Sequence, residues 1–411
     1  MSFLNWKIGF EIELMSPRGH SRQDLAELIA QQYDARVRRV FHPQSELSQV
    51  PGTPLFQNLT LGFEVLDEHE CLIARCVDDL TLLENLDKTA KPKPGWYRIV
   101  SDDSRLLQLV ESQADAADSL ADVLKPIASL FSTHPEAGPG GMVRIADRTG
   151  NPIAIAAPLP GERERPCELI TPPIETNHSD RLEMLLSAAR SIGFTIPVEG
   201  ATHLHFDATP LCSAKVFANL VNLLWTHGEN LKRLVGTNPN CRRLGMWDEE
   251  LLVLVNQSDF CQLSWSDAKT RLARLELTKY CDFNIKNIIH TIPSKFTFEA
   301  RIFPSWIYAQ SIIEVAALME AILRYAIEAS QISPTATLEW KSESVQEFIK
   351  ALPLDENYCS IWLSRVTKVI SDEKNTYVDE FRLTSAPPFS TRGYAQDRLD
   401  TSRSTLDHSV G

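Results

Sequence analysis

Along residues 8–14, IGFEIEL, apolar and polar positions alternate. Ile8, Phe10, Ile12 and Leu14 share one face of an extended strand, and Gly9, Glu11 and Glu13 share the other. The same period returns in ATHLHFDA (201–208), where His203 and His205 oppose Leu204 and Phe206. It returns again in KFTFEARIF (295–303), where Glu299 and Arg301 oppose Phe298, Ala300 and Ile302. PCELITPPI (166–174) predicts a fourth strand that ends in prolines, with Glu168 beside Leu169 and Ile170. RVRRVFH, TLGFEVLD, CLIARCV and WYRIVSDDS read as strands across 36–104, punctuated by VPGTP and KPKPG. ADRTGNPIAIA reads as a hairpin and DFNIKNIIH as a further strand.

A helical period takes over in SRQDLAELIAQQY (21–33), in 105–133, in DRLEMLLSAARSIG (180–193) and in SAKVFANLVNLLWTHGENLKRLV (213–235). SWSDAKTRLARLELTKY (264–280) and AQSIIEVAALMEAILRYAIEAS (309–330) follow the same rule. In the 180–193 helix, Asp180 and Glu183 have capping-box spacing and Gly193 is placed to end it. The glycines of EAGPGGM (136–142) precede a strand-like MVRIA and lack GK[ST], so they read as a loop and not as a phosphate cradle. After Ser333 the character changes. SVQEFIKAL and IWLSRVTKVI keep a helical pattern through 333–383, and 384–411 is polar enough to predict a disordered tail.

Composition narrows the partners more than the chemistry. Of 411 residues, 43% are hydrophobic and 23% charged, enough for one large domain. Lys and Arg number 41 against 54 Asp and Glu, a formal charge of −13 that argues against nucleic-acid and anionic-membrane binding. The eight cysteines form no CxxC pair and show no zinc spacing, as expected of reduced thiols in a cytoplasmic protein. No apolar run approaches the roughly 18 residues of a membrane span, and no basic-then-apolar leader opens the chain.

The polar faces of the alternating strands carry the candidate chemistry. Solvent-facing strand positions favour Thr, Lys, Ser and Gln, whereas these offer carboxylates and imidazoles. Glu11 and Glu13, about 7 Å apart on one face, repel by roughly 2 kcal/mol at an effective dielectric near 20. Convergence of Glu168 and Glu299 on the same hollow would add to that. One or two divalent cations would reverse its sign. Carboxylate oxygens with one or two imidazoles suit Mg²⁺ or Mn²⁺, and Arg301 would present a fixed cation to a transferring phosphoryl group.

GFEIE, CELITPP, GATHLHFD and FEARIFPS, in that order, resemble the signature strands of the amidoligases, relatives of glutamine synthetase and glutamate–cysteine ligase. The resemblance spans residues 8 to about 325. It implies an α+β fold, a curved antiparallel sheet with helices packed on one face, over a catalytic domain of 1–332. Within that domain, 105–165 would form an inserted lobe or substrate cover. It further implies a two-metal, ATP-dependent site. Glu11, His203 and Glu299 match the ligands of the metal beside the ATP phosphates, and Glu13 and Glu168 those of the metal nearer the carboxylate substrate. His205 matches a nucleotide-phosphate contact and Arg301 the arginine that neutralises the γ-phosphate. Glu175 repeats a spacing seen in glutamine synthetases that amidoligases usually lack. SDDS (101–104) resembles the family's Asp-Gly-Ser element with Asp103 in place of glycine, which gives Asp102 a role in receiving the amine or in a structural turn.

The expected function is joining a carboxylate to an amine through an acyl phosphate, with ATP as the phosphoryl donor. The expected substrates are amino acids, peptides or a peptide-tagged metabolite. A phosphotransferase on the same fold and a non-catalytic binding or scaffold protein are the alternatives, and a homo-oligomer accords with the family. No protein nucleophile is required, which agrees with the absence of a GxSxG elbow.

Overall fold

The structure, a computed structural model, describes residues 4–47, 55–241, 243–292, 295–333 and 340–369. The VPGTP turn and the predicted tail at 384–411 lie outside the described residues.

Twelve strands form one open, entirely antiparallel sheet. In chain order they are β1 (Ile8–Met15), β2 (Arg36–Leu47), β3 (Leu55–Leu66), β4 (Leu72–Val77), β5 (Tyr97–Ser101) and β6 (Glu136–Ala137). There follow β7 (Val143–Ala146), β8 (Pro152–Pro158), β9 (Pro166–Ile170), β10 (Ala201–Asp207), β11 (Phe283–Asn284) and β12 (Thr297–Pro304). Across the sheet they run β11-β12-β10-β1-β9-β4-β3-β5-β8-β7-β6, and β2 pairs with β3. The chain's first strand is therefore an interior one, flanked by strands from the middle and later chain.

Alternation explains the central strands. Phe10, Ile12, Leu169, Leu204, Phe206, Phe298, Ala300 and Ile302 are all completely buried. Helix Arg22–Tyr33 packs on β3 and β4, and helix Ala214–Val235 packs on β12. Helix Ala309–Glu328 packs in turn on Ala214–Val235 and on His178–Ser191. At the other end of the sheet, helices Ser104–Gln113 and Lys125–Leu130 close a second cluster around Leu59, Leu61, Ile99, Val110, Ile127 and Ile145. The glycines of EAGPGGM make a reverse turn between β6 and β7, with Gly140 and Gly141 at φ of 67° and 79°. No helix among the described residues is long and apolar enough to cross a membrane. The cysteines are all free.

Four local readings differ from the sequence expectation. DFNIKNIIH is a two-residue strand followed by the helical turn Lys286–Ile289, because the Asn284 carboxamide accepts the Lys286 N–H and Ile285, Ile288 and Ile289 have helical spacing. The helix expected over 264–280 covers only Trp265–Leu272, and the chain beyond leads to Asp282, which exchanges hydrogen bonds with Gly245 and accepts one from Arg301 N–H. Residues 105–133 are two helices and not one, since Asp115, Asp118 and Ser119 bond into turns between them. Helix His178–Ser191 begins two residues before Asp180, fixed by buried His178, whose Nε2 lies 3.0 Å from Trp6 O. Glu183 there accepts from Arg190 and from Ala309 N–H instead of closing a capping box, while Gly193, at φ 80°, ends the helix as expected.

A buried ionic knot follows β4. Asp78 and Arg22 are both fully buried with charged atoms 3.8 Å apart, and Arg163 Nη2 donates to Asp78 Oδ1 at 2.6 Å. Arg22 also donates to Leu61 O and Arg163 O and lies over the Trp96 ring. Removing the anion leaves two interior guanidinium groups uncompensated. Asp78→Ala should therefore lose about 3–5 kcal/mol of stability, read as a lower urea midpoint at unchanged slope.

Candidate metal and catalytic centre

Strand pairing alone assembles most of the centre. In the β1/β10 ladder Glu11 stands opposite His203, and in β1/β9 Glu13 stands opposite Glu168. In β10/β12 His205 stands opposite Glu299. Opposed residues of an antiparallel pair share a face, so these side chains emerge together from four adjacent strands. Between Thr202 and Leu204 the β10/β12 register shifts, so that two residues of β12, Arg301 and Ile302, oppose His203 alone. Such a bulge re-aims side chains, and here Arg301 Nη1 reaches Glu299 Oε1 at 2.6 Å.

Three overlapping groups have donor atoms within 4.8 Å of one another: Glu11, Glu168 and His203; Glu11, His205 and Glu299; and Glu13, Asp79 and Glu168. Glu11 belongs to two of them. Its Oε2 lies 3.4 Å from His203 Nδ1 and 3.2 Å from His205 Nε2. His203 Nε2 lies 3.9 Å from Glu13 Oε1. Neighbouring groups orient these side chains in turn. Thr297 Oγ1 is 3.2 Å from His205 Nδ1, the Ala201 N–H donates to Glu13 Oε2 at 2.8 Å, and Asn284 Nδ2 donates to Glu299 Oε2 at 2.7 Å. The Thr171 hydroxyl accepts the Phe10 N–H at 3.1 Å, which continues the β1/β9 ladder past Ile170.

The electrostatics divide the centre in two. Burial opposes the charge of Glu11, but His205 and His203 outweigh it and hold the carboxyl well below the usual range. Glu299 behaves alike, held to about 2 by His205 and Arg301 against burial. Burial lowers His203, whereas Glu11 and Glu299 overcome burial and raise His205. On the other side, burial together with Asp79 and Glu168 pushes Glu13 well up, and burial with Glu11 and Asp79 does the same to Glu168. Glu13 and Asp79 share a hydrogen bond, and Asp79 also accepts from Thr81 N–H and its hydroxyl. Those bonds outweigh the burial of Asp79 and keep it charged.

Six of the expected site residues, Glu11, Glu13, Glu168, His203, His205 and Glu299, thus meet on one face, with Arg301 bonded to the last. Both histidines lie by Glu11 and Glu299: His203 Nδ1 and His205 Nε2 are each 3.9 Å from Glu299 Oε1, and His203 also groups with Glu11 and Glu168. Glu175 is exposed and paired with Lys7 at 2.8 Å, outside all three groups. Asp102 is exposed at the end of β5, four strands from β1, and its neighbour Asp103 caps the helix that follows. Sequence reasoning missed Asp79. Its signal was the Asp-Asp directly after CLIARCV: Val77 opposes Glu168, so Asp79, two residues on, continues along the same face.

Hard oxygen donors, two imidazoles and a buried His205 Nε2 that has carboxylates near it but no hydrogen bond fit Mg²⁺ or Mn²⁺. This acidic centre is laid across the middle strands of an open antiparallel sheet. The family model described as "Putative amidoligase enzyme" matches residues 4–323, and the chain belongs to this amidoligase family, as the four signature strands lead one to expect. Comparison with curated proteins gave no match.

Raised carboxyls make a signed prediction. Glu13 and Glu168 bind protons more tightly folded than unfolded, so the stability they contribute is present below the ordinary carboxylate range and falls as pH rises through their folded values. In metal-free protein this should appear as a Tm that declines from mildly acidic toward neutral pH. Mn²⁺ should reverse the decline and release protons on binding, measured by calorimetry in two buffers of different ionisation heat.

Proposed function

We propose that this protein is an ATP-dependent carboxylate–amine ligase with a glutamine synthetase-like sheet, forming an amide through an acyl phosphate. The observation that carries the reading is the meeting of Glu11, Glu13, Glu168, His203, His205 and Glu299 on one face beside Arg301, in a chain of the amidoligase family. A carboxylate is a poor electrophile. Phosphorylation by ATP turns its oxygen into a leaving group, the amine attacks the acyl carbon, and phosphate departs.

The group around Glu11, His205 and Glu299, with His203 adjoining, is suited to the cation that accompanies ATP. The Glu13, Asp79 and Glu168 group is suited to one nearer the acid substrate. Bound there, Mg²⁺ or Mn²⁺ would neutralise phosphate charge and orient oxygens. Arg301 supplies a permanent charge: its pairing with Glu299, against burial, raises its pKa, and the salt bridge holds the guanidinium in place. The histidines keep Glu11 and Glu299 ionised and ready to bind cations at neutral pH. Asp102 is the candidate acceptor for the amine proton if substrate brings β5 into reach. The substrates in this reading are small or peptide acids and amines.

The direct test is ADP release with Mg²⁺ or Mn²⁺ across a panel of amino acids and small acids, with hydroxylamine as a general amine that traps acyl phosphate as hydroxamate. Hydroxamate formation supports the ligase. An acyl phosphate that accumulates as the end product, indifferent to amine, points to phosphotransfer instead. Glu11→Gln should reduce turnover at least about 100-fold with an unchanged circular dichroism spectrum. Arg301→Lys should lower kcat about 10- to 100-fold while the KM for ATP stays within about threefold, because lysine keeps the charge but lacks the planar fork.

A further inference from the structure

Among the members of the three acidic groups, Asp79 alone lies outside a strand. β4 ends at Val77, and β3 pairs residues 63–66 with β4 but residues 57–59 with β5. The chain after Val77 is thus left without a ladder partner on the β3 side, and Gln44 takes the partner's place. Its Nε2 donates to Asp78 O and its Oε1 accepts the Leu80 N–H at 3.2 Å. In an extended chain the carbonyl of one residue and the N–H two residues on lie along the same edge, which lets a neighbouring strand bond to both. One carboxamide therefore bridges the two peptide units on either side of Asp79.

Gln44 reaches this position from β2, on the far side of β3, where it stands opposite Asn58. It is half-buried. The next residue, Ser45, has its Oγ 3.3 Å from the Tyr280 hydroxyl, which holds this end of β2 to the loop ahead of β11. Arg163 Nη2 donates to Asp79 O at 2.9 Å, so the backbone of Asp79 is held on both sides. Its carboxylate is held as well, since Oδ1 accepts the Thr81 N–H at 2.7 Å and the Thr81 hydroxyl at 2.8 Å. Arg163 also serves the buried knot at Asp78, whereas the Gln44 carboxamide makes no other hydrogen bond among the described residues.

We propose that Gln44 is a positioning residue for the cation centre: its carboxamide holds Asp79 in the Glu13–Asp79–Glu168 group and thereby sets that group's affinity for a divalent cation. This rests on the reading above only as far as the centre binds cations, and not on amide formation. Glu13 and Glu168 stand opposite one another in the β1/β9 ladder and need no such support. Asp79 is fixed through its backbone, so its carboxylate moves when the clasp opens. Glu11, His205 and Glu299 are placed by β1, β10 and β12 and stay where they are. Removing a group that orients a metal ligand without touching the metal typically costs about 10- to 100-fold in affinity.

The test is Mn²⁺ binding to the full, nucleotide-free chain, followed by calorimetry and electron paramagnetic resonance. Asp79→Asn and Glu299→Gln identify which binding event belongs to which half of the centre. Gln44→Met keeps the length of the side chain without the amide. It is expected to weaken the event that Asp79→Asn weakens by about 10- to 100-fold and to leave the other within about threefold. Gln44→Glu keeps an acceptor for the Leu80 N–H but loses the donor to Asp78 O, and should fall between; it also carries the test if the methionine variant does not fold. When Gln44→Met is combined with Asp79→Asn the losses should not add, because the clasp acts only through Asp79. Matching circular dichroism spectra check the folds. Unaltered Mn²⁺ binding in the folded Gln44 variants, equal weakening of both events, additive losses, or a wild type with no Mn²⁺ event sensitive to Asp79→Asn overturns the proposal. If the pattern holds but no acid yields hydroxamate, the ligase reading fails and the positioning role stands.

Discussion

Repulsion among carboxylates that strand pairing will not let separate is the constraint on which this architecture depends. Glu11, Glu13, Glu168 and Glu299 project from three strands of a close-packed sheet, with Asp79 just past a fourth. The ladder fixes their spacing, and the fully buried Phe10, Ile12, Leu204 and Phe206 behind them fix the ladder. The protein cannot relax the crowding by turning a side chain to solvent. Its proton affinities diverge instead: those of His205, Glu13 and Glu168 rise, and those of Glu11 and Glu299 fall.

The surroundings limit how far that crowding can deform the fold. The β12 bulge directs Arg301 to Glu299, Asn284 takes the second oxygen of the same carboxylate, and Ala201 N–H takes one from Glu13. On the β4 side, Asp79 follows Asp78, and Asp78 is clamped between two arginines in the interior. One aspartate of the pair thus serves structure and the next serves the centre, so the placement of Asp79 depends on a network that makes no contact with ligand chemistry. The two halves of the centre are held by different means, short hydrogen bonds at β12 and a buried ionic knot at β4.

Much of this was legible in the chain because its carriers sit inside alternating strands. The period of two that places Ile8, Phe10 and Ile12 on the core also dictates that Glu11 and Glu13 share a face, and the same holds for His203 with His205 and Glu299 with Arg301. What escaped is what no local period encodes. Asp79 lies beyond the end of its strand, and only the β4/β9 register shows that it faces Glu168. Asn284 looked like part of a longer strand until its side chain was seen to cap a turn and to hold Glu299. That His205 joins His203 beside Glu11 and Glu299 follows from cross-strand pairing, which a linear reading cannot supply. Asp180 misled for the opposite reason: its local capping signal was overridden by a tertiary contact at His178.

The interior position of β1 has a consequence for biogenesis. It leaves the ribosome well before its partners: β9 and β10 lie at 166–170 and 201–207, and the Ser305 hydroxyl that bonds Glu13 O comes almost 300 residues later. Contacts of such long sequence separation form slowly, because the intervening loop must close before they repay its lost entropy. Until then an apolar strand with two unsatisfied edges waits on a nascent chain, exposed to misassociation and open to chaperones. The assembled centre would thus arrive only after β12 has been made, in one late step.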